Sequence, residues 1–363
     1  MKKLALLLGC LLCLASCQEK LSGSRGGDAR IWLSADINRA PDTKTPYELT
    51  TPDTDHPFDA SVWASTTSCN FVELSGDAAL GGAANTVGYH ATVYFQNGLG
   101  QLLRGDAQYP EDPLTQVYFI GLHPNAGWSK AAAGSANTST GYNFLGKEDL
   151  MFAPQVSGVR GGANPLLHFF HLLTLLKVEV YAENNDVILS WGKLKSISLA
   201  DQQKTLSIDL TSVPDISSEI FATRQGNVAD KVSFTGATSA MPFYATGTDT
   251  AFDYNDENAY TLTTTPTEVA YVLCQPKVGL NDATAGTEGA RTDEYVLTLN
   301  TQNRSDVSVG IDLKSAADTW FTGSTMGYEF TVTLKLMAGG YIAASATVRD
   351  WTTGGYVIQE VEE

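Results

Sequence analysis

Residues 165–182 read PLLHFFHLLTLLKVEVYA. They form the most apolar run outside the N-terminus and hold two of the five histidines, His168 and His171. A metal site, a membrane segment and a core element compete for this stretch. Zinc needs at least three protein ligands, and the nearest downstream acid is Glu179. On a strand, positions three apart point to opposite faces, so the two imidazoles do not converge. A membrane helix needs about twenty apolar residues, whereas the run 166–176 is short and broken by both histidines. LLHFFHLLTLL has room for one or two helical turns, but Val178 and Val180 continue with a period of two, the signature of a strand. We therefore expect a strand-leading segment near the join of two β-domains. His171 should pack inside, bonded to a backbone group, because buried polar groups need partners.

The rest of the chain supports β-structure. Its 363 residues suggest two domains, and 43% apolar content suffices for packed cores. Only 17% of residues are charged, and glycine is abundant. Threonine, serine, tyrosine and valine recur, and no sustained helical period appears. A formal charge of −17 argues against nucleic acid as a partner, since phosphate repels an acidic surface.

The N-terminus reads MKKLALLLGCLLCLASC. Lys2 and Lys3 precede a short apolar stretch, 4–14, too short for a stop-transfer helix. Leu14-Ala15-Ser16-Cys17 resembles a bacterial lipobox, which makes residues 1–16 a lipoprotein signal peptide and Cys17 the lipidated residue. The alternative is an ordinary cleaved signal peptide with an incidental cysteine. Acyl chains on Cys17 would anchor the protein to a membrane without a spanning helix. Cys69 and Cys274 are expected as two buried free thiols, with a single disulfide as the other option.

Residues 17–29 are polar and rich in glycine and serine, as in a tether. Next comes RIWLSADIN, residues 30–38, where Ile31, Leu33, Ala35 and Ile37 alternate with polar or amphipathic positions. That is a half-buried strand. A proline-rich loop follows, beginning at Arg39-Ala40. Strand candidates then recur at 60–64, 71–74, 89–95, 116–122 and 149–153. The glycine-rich segment 156–165 suggests a domain boundary, giving β-sandwiches over 30–160 and 161–363. In the second half, candidates lie at 177–182, 195–200, 205–210, 232–234, 241–245, 268–275, 294–299, 307–313, 328–336 and 341–350.

Chemistry-bearing motifs are scarce. There is no Gly-x-Ser-x-Gly elbow, dinucleotide fingerprint or phosphate loop. Asp253, Asp256 and Glu257 in FDYNDEN lack the spacing of a calcium loop and are expected as a solvated acidic turn. No catalytic residue, metal or cofactor is expected, and no enzyme. Sugar binding by exposed aromatic residues is a second possibility. Core packing is nevertheless the expected role for most of Trp32, Trp63, Trp128, Trp191, Trp320 and Trp351.

Several stretches together resemble the fimbrillin family, subunits of type V pili. They are PLLHFFHLLTLLKVEVYA, DASVWAS (59–65), VYFIGLHPNAGW (117–128), KEDLMFAPQ (147–155) and GYEFTVTLKLMAGGYIAASATVRDW (327–351). The resemblance implies two transthyretin-like antiparallel β-sandwich domains and export as an outer-membrane lipoprotein. It further implies a trypsin-like protease that cuts after an arginine beyond the first strand. A strand from another pilin subunit then fills the groove, and an extracellular fimbrium grows. Here the cut would fall at Arg39-Ala40, with Arg30 as the next choice. The removable strand would carry Ile31, Leu33, Ala35 and Ile37. The donor would be the C-terminal segment with Tyr356, Val357, Ile358 and Val361. The alternative is a monomeric surface lipoprotein that binds host glycans or proteins.

Overall fold

The stretch 165–182 folds as two strands in two different sheets, and that switch organises the molecule. The computed structural model describes residues 31–37, 58–72, 89–96, 99–102, 108–131, 135–213, 228–248, 250–277, 295–311, 313–314 and 324–350. The first part comprises β1 (Trp32–Ile37), β2 (Phe58–Ser65), β3 (Phe71–Val72), β4 (Tyr89–Gln96), β5 (Leu99–Leu102), β6 (Val117–His123), β7 (Ala136–Asn137), β8 (Ser139–Asn143), β9 (Met151–Gly158) and β10 (Leu166–His171). The second comprises β11 (Thr174–Ala182), α1 (Asn185–Trp191), β12 (Leu194–Gln202), β13 (Thr205–Asp209), β14 (Val232–Thr235), β15 (Ser239–Pro242), β16 (Tyr244–Ala245), β17 (Thr267–Cys274), β18 (Tyr295–Thr301), β19 (Val307–Ile311), β20 (Leu313–Lys314), β21 (Tyr328–Leu336) and β22 (Ile342–Asp350). The chain is all-β in class, as its composition indicates.

In the N-terminal unit the sheet closes on itself in the order β1-β10-β9-β6-β2-β4-β5. Alternation sorts its side chains. Ala60, Val62 and Ala64 of β2 point into the barrel with Val117, Phe119 and Phe169. Trp63 of β2, Ile120 of β6 and Phe152 of β9 point outward into the larger core shared with the C-terminal unit. One face of the barrel is therefore an internal interface, which explains its two-sided apolar strands.

The C-terminal unit holds a six-stranded sheet, β16-β17-β11-β21-β22-β20, and a four-stranded sheet, β15-β12-β18-β19. Val178 and Val180 of β11 and Ile197, Leu199, Leu297 and Leu299 of the second sheet belong to the same core. Most pairs are antiparallel. The parallel pairs among the described residues are β1 with β10, β11 with β21, and β20 with β22.

The expected division at 160/161 lies in the glycine-rich segment 156–165. It falls in the connection between β9 and β10, which are antiparallel neighbours in the barrel. The glycines and proline of 156–165 make a turn, with the Gly162 N–H donating to Val159 O at 3.0 Å. The change of sheet comes at 172–173. Domain membership is also interleaved, because β8 pairs with β13. The short helix α1 was not foreseen. The Asn184 side chain accepts from Val187 N–H, and Gly192 closes the helix at φ 71°, a cap pair present in ENNDVILSWG, residues 183–192.

Candidate functional site

The first strand is the element on which the sequence reading converges, and the structure embeds it in the barrel. β1 lies between β10, to which it runs parallel, and β5, to which it runs antiparallel. The register places Ser34 opposite Leu166, Ala35 opposite Leu167 and Ile37 opposite Phe169. The Ser34 N–H donates to Pro165 O at 2.8 Å. Ile31, Leu33 and Ala35 are buried at 1%, 0% and 6% exposure, all in the barrel core. Ile37 closes the strand.

The chamber around them is lined by buried apolar side chains. Tyr109 packs edge-on against Phe119 at 6.3 Å between centroids, and burial pushes its hydroxyl up to about 12. Near the Phe169 ring the wall thins. A Cβ added at Gly121 would sit 2.4 Å from a Phe169 ring atom and 3.2 Å from the Ala153 Cβ. Gly121 and Tyr109 escaped the sequence reading. The glycine inside VYFIGLH on an otherwise bulky strand was the available signal for a close approach. Cys17, Arg39, Ala40, Tyr356, Val357, Ile358 and Val361 lie outside the described residues.

The paired histidines do not form a site together. His168 is half-buried, and the side chain of His171 is buried at 2% exposure. His171 Nδ1 lies 2.9 Å from Asp149 Oδ1, so its partner is a carboxylate, not the backbone group expected. Among the described residues, no three His, Cys, Asp or Glu side chains are grouped to hold a metal. No described helix is long and apolar enough to cross a membrane. The acidic turn is solvated: Asp253, Asp256 and Glu257 are exposed, and Asp256 meets Lys195 at 3.1 Å. Trp63, Trp128 and Trp191 are core residues.

Cys69 and Cys274 are free thiols, the first half-buried and the second buried. Desolvation pushes the Cys274 thiol up to about 12. Since the thiolate is the reactive form, brief treatment of native protein with iodoacetamide is expected to label Cys69 and spare Cys274. Unfolding in urea should equalise them. Equal labelling in the native state, read by peptide mass spectrometry, would contradict this burial.

No family model matches the chain, and no curated protein matches it in sequence. Solved structures with a similar course include a candidate cell adhesion protein from Bacteroides uniformis. The two share 17% identity and a TM-score of 0.49 over 90% of this chain and 100% of that one. A fimbrial protein from Bacteroides vulgatus aligns at 12% identity and TM-score 0.38, over 88% and 99%. A candidate polysaccharide-binding protein from Bacteroides thetaiotaomicron aligns at 8% identity and 0.42, over 91% and 100%. At these values no residue role passes from those proteins to this chain.

Proposed function

We propose that this chain is a structural and adhesive subunit of a surface fibre, exported as a lipoprotein on Cys17 and assembled by exchange of its first strand. The observation that carries the proposal is the placement of β1. It joins β2 in sequence through residues 38–57, but its ladder partners are β10 and β5. A single cut between β1 and β2 therefore turns β1 into a separate peptide, held by hydrogen bonds and apolar contacts alone. Residues 38–57 include Arg39-Ala40 and four prolines, a composition suited to proteolysis.

Loss of β1 would empty the barrel of Ile31, Leu33 and Ala35, and would leave the edges of β10 and β5 unpaired. Each large aliphatic side chain is worth about 1.5–3 kcal/mol of burial. Open strand edges add unpaired N–H and C=O groups. A strand from a neighbouring subunit relieves both at once, which is strand addition in its general form. The resemblance to fimbrillins and the adhesion and fimbrial names of the structural neighbours agree with this reading. It places the protein first at the outer membrane and then in an extracellular fimbrium, with a trypsin-like protease and other subunits as partners.

Limited digestion of the purified full chain with a trypsin-like protease tests it. The expected result is a new N-terminus at Ala40, found by mass spectrometry, followed by a ladder of oligomers on non-denaturing gels. A chain that is not cut near Arg39 and stays monomeric would sink the proposal.

A further inference from the structure

We propose that the C-terminal unit carries a binding site for a sugar ring that bears a carboxylate, built where α1, the turn 302–306 and the turn 337–341 meet. The proposal rests on the adhesive part of the proposed function, whose ligand class it names, and it does not depend on strand exchange.

The site centres on an arginine without an acid. Arg304 lies between β18 and β19, and its guanidinium stacks over the Trp191 ring, 4.9 Å from the centroid. Acidic residues outnumber Lys and Arg in this chain by 40 to 23, and Lys177, Lys195 and Lys335 each meet a carboxylate. Among the described residues, no carboxylate pairs with Arg304. Its Nε is buried and makes no hydrogen bond. Nη1 and Nη2 also lack protein acceptors, but they are not buried, so they form one open edge. Stacking on Trp191 uses the face of the guanidinium and leaves that edge unused. Two N–H donors in a rigid plane match the two oxygens of a carboxylate.

The surrounding turns hold the cation in place. Trp191 is fully buried, and its Nε1 donates to Met337 O at 2.9 Å, tying α1 to the turn 337–341. The Met337 N–H donates to Tyr341 O at 2.9 Å and closes that turn. Gly339 and Gly340 within it have φ of 76° and 92°. A Cβ on Gly340 would collide with Arg304 Nη1, so the glycine lets the guanidinium lie against the turn. A Cβ on Gly339 would sit 3.2 Å from the Tyr341 ring. The ring and the guanidinium therefore lie against consecutive residues of one turn.

Tyr341 supplies a platform. It is 73% exposed, an uncovered ring with an apolar face and a polar tip, suited to the C–H face of a sugar. Leu189 of α1, also exposed, adds apolar surface at the same end of the unit. Asn303 supplies an acceptor. Its Nδ2 donates to Leu189 O at 3.2 Å and to Ser190 O at 3.4 Å, which fixes the carboxamide and leaves Oδ1 for a sugar hydroxyl. A neutral sugar would leave the guanidinium edge unpaired, and a simple carboxylate would leave Tyr341 uncovered. An acidic sugar uses both.

The test titrates the purified full chain with four glycans and acetate, read by saturation-transfer NMR and calorimetry. The glycans are trigalacturonate, its methyl ester, sialyllactose and lactose. At least one acidic glycan is expected to bind at least about 10-fold more tightly than its neutral counterpart and than acetate. Which of the two binds distinguishes a uronate from a sialic acid as the source of the carboxylate. Arg304→Lys keeps the charge but loses the fork, and Tyr341→Ala removes the platform; each should weaken binding at least about 10-fold. Tyr341→Ala should leave the urea midpoint unchanged, because the ring is exposed. Equal binding of the neutral counterparts would overturn the role of the carboxylate, and equal binding of acetate the role of the sugar. Undiminished binding by the two variants would place the site elsewhere and overturn the proposal. If neither acidic glycan binds at millimolar concentration, the proposal falls, while cleavage at Arg39 and the oligomer ladder are decided by their own experiment.

Discussion

Leu33→Asp is expected to prevent the N-terminal barrel from forming, and Leu33→Ala to destabilise it by about 3 kcal/mol. Leu33 has no exposed surface and lies at the middle of the inward triplet Ile31, Leu33, Ala35. Truncation to alanine removes the transfer energy of the side chain and leaves a cavity that the barrel cannot fully close. Aspartate does worse, because a carboxylate would stand among the buried apolar side chains of the chamber. Urea unfolding followed by circular dichroism measures the first variant. For the second, far-ultraviolet spectra and protease sensitivity suffice. Ser34→Ala is the control: Ser34 is half-buried, its structural bond is made by the backbone N–H, and its loss should cost under about 1 kcal/mol. If Leu33→Asp folds as stably as the parent, β1 is not an integral wall of the barrel, and its removal would open nothing.

Much of this architecture was legible because period-two alternation survives wherever one face of a strand is wetter than the other. RIWLSADIN was readable as a strand, and Ile31, Leu33 and Ala35 are indeed buried. YEFTVTLKL and the segment after it were readable as two strands, now β21 and β22, which pair antiparallel. What failed to show has physical reasons. β10 shows no clean alternation, because Leu167 and Phe169 fill the barrel while its other face runs from exposed Leu166 through half-buried His168 to Phe170 in the larger core. Without alternation, its assignment to the first sheet was invisible. β5 and β7 are four and two residues long, too short to carry a pattern. Parallel pairing, as between β1 and β10, leaves no local mark, since it depends on which distant strand arrives alongside. The partner of His171 was equally hidden: Asp149 is 22 positions away, across a turn.

The second large effect is expected at a buried ion pair in the six-stranded sheet. Lys177 on β11 and Glu329 on β21 meet at 3.0 Å, with side chains only 13% and 7% exposed. The strands are parallel, and Glu329 pairs in register with Leu175, two positions before Lys177 on the same face. Removing both charges from water is expensive, and their mutual attraction largely returns that cost rather than adding to stability. Glu329→Leu takes the carboxylate away from a mostly buried ammonium and is expected to destabilise the C-terminal unit by about 3 kcal/mol. The double variant Lys177→Met with Glu329→Leu removes the charge as well, and should return to within about 1 kcal/mol of the parent or exceed it. Chemical denaturation of the parent, both single variants and the double variant closes the cycle, and the coupling is read directly. Additive losses in the double variant would mean that the two side chains act independently and that the pair carries no coupling. A recovered double variant would mean that the charges instead specify alignment. Lys177 and Glu329 then favour one register of β21 against β11, because a slip of one residue would turn Glu329 to the other face and leave Lys177 without its carboxylate.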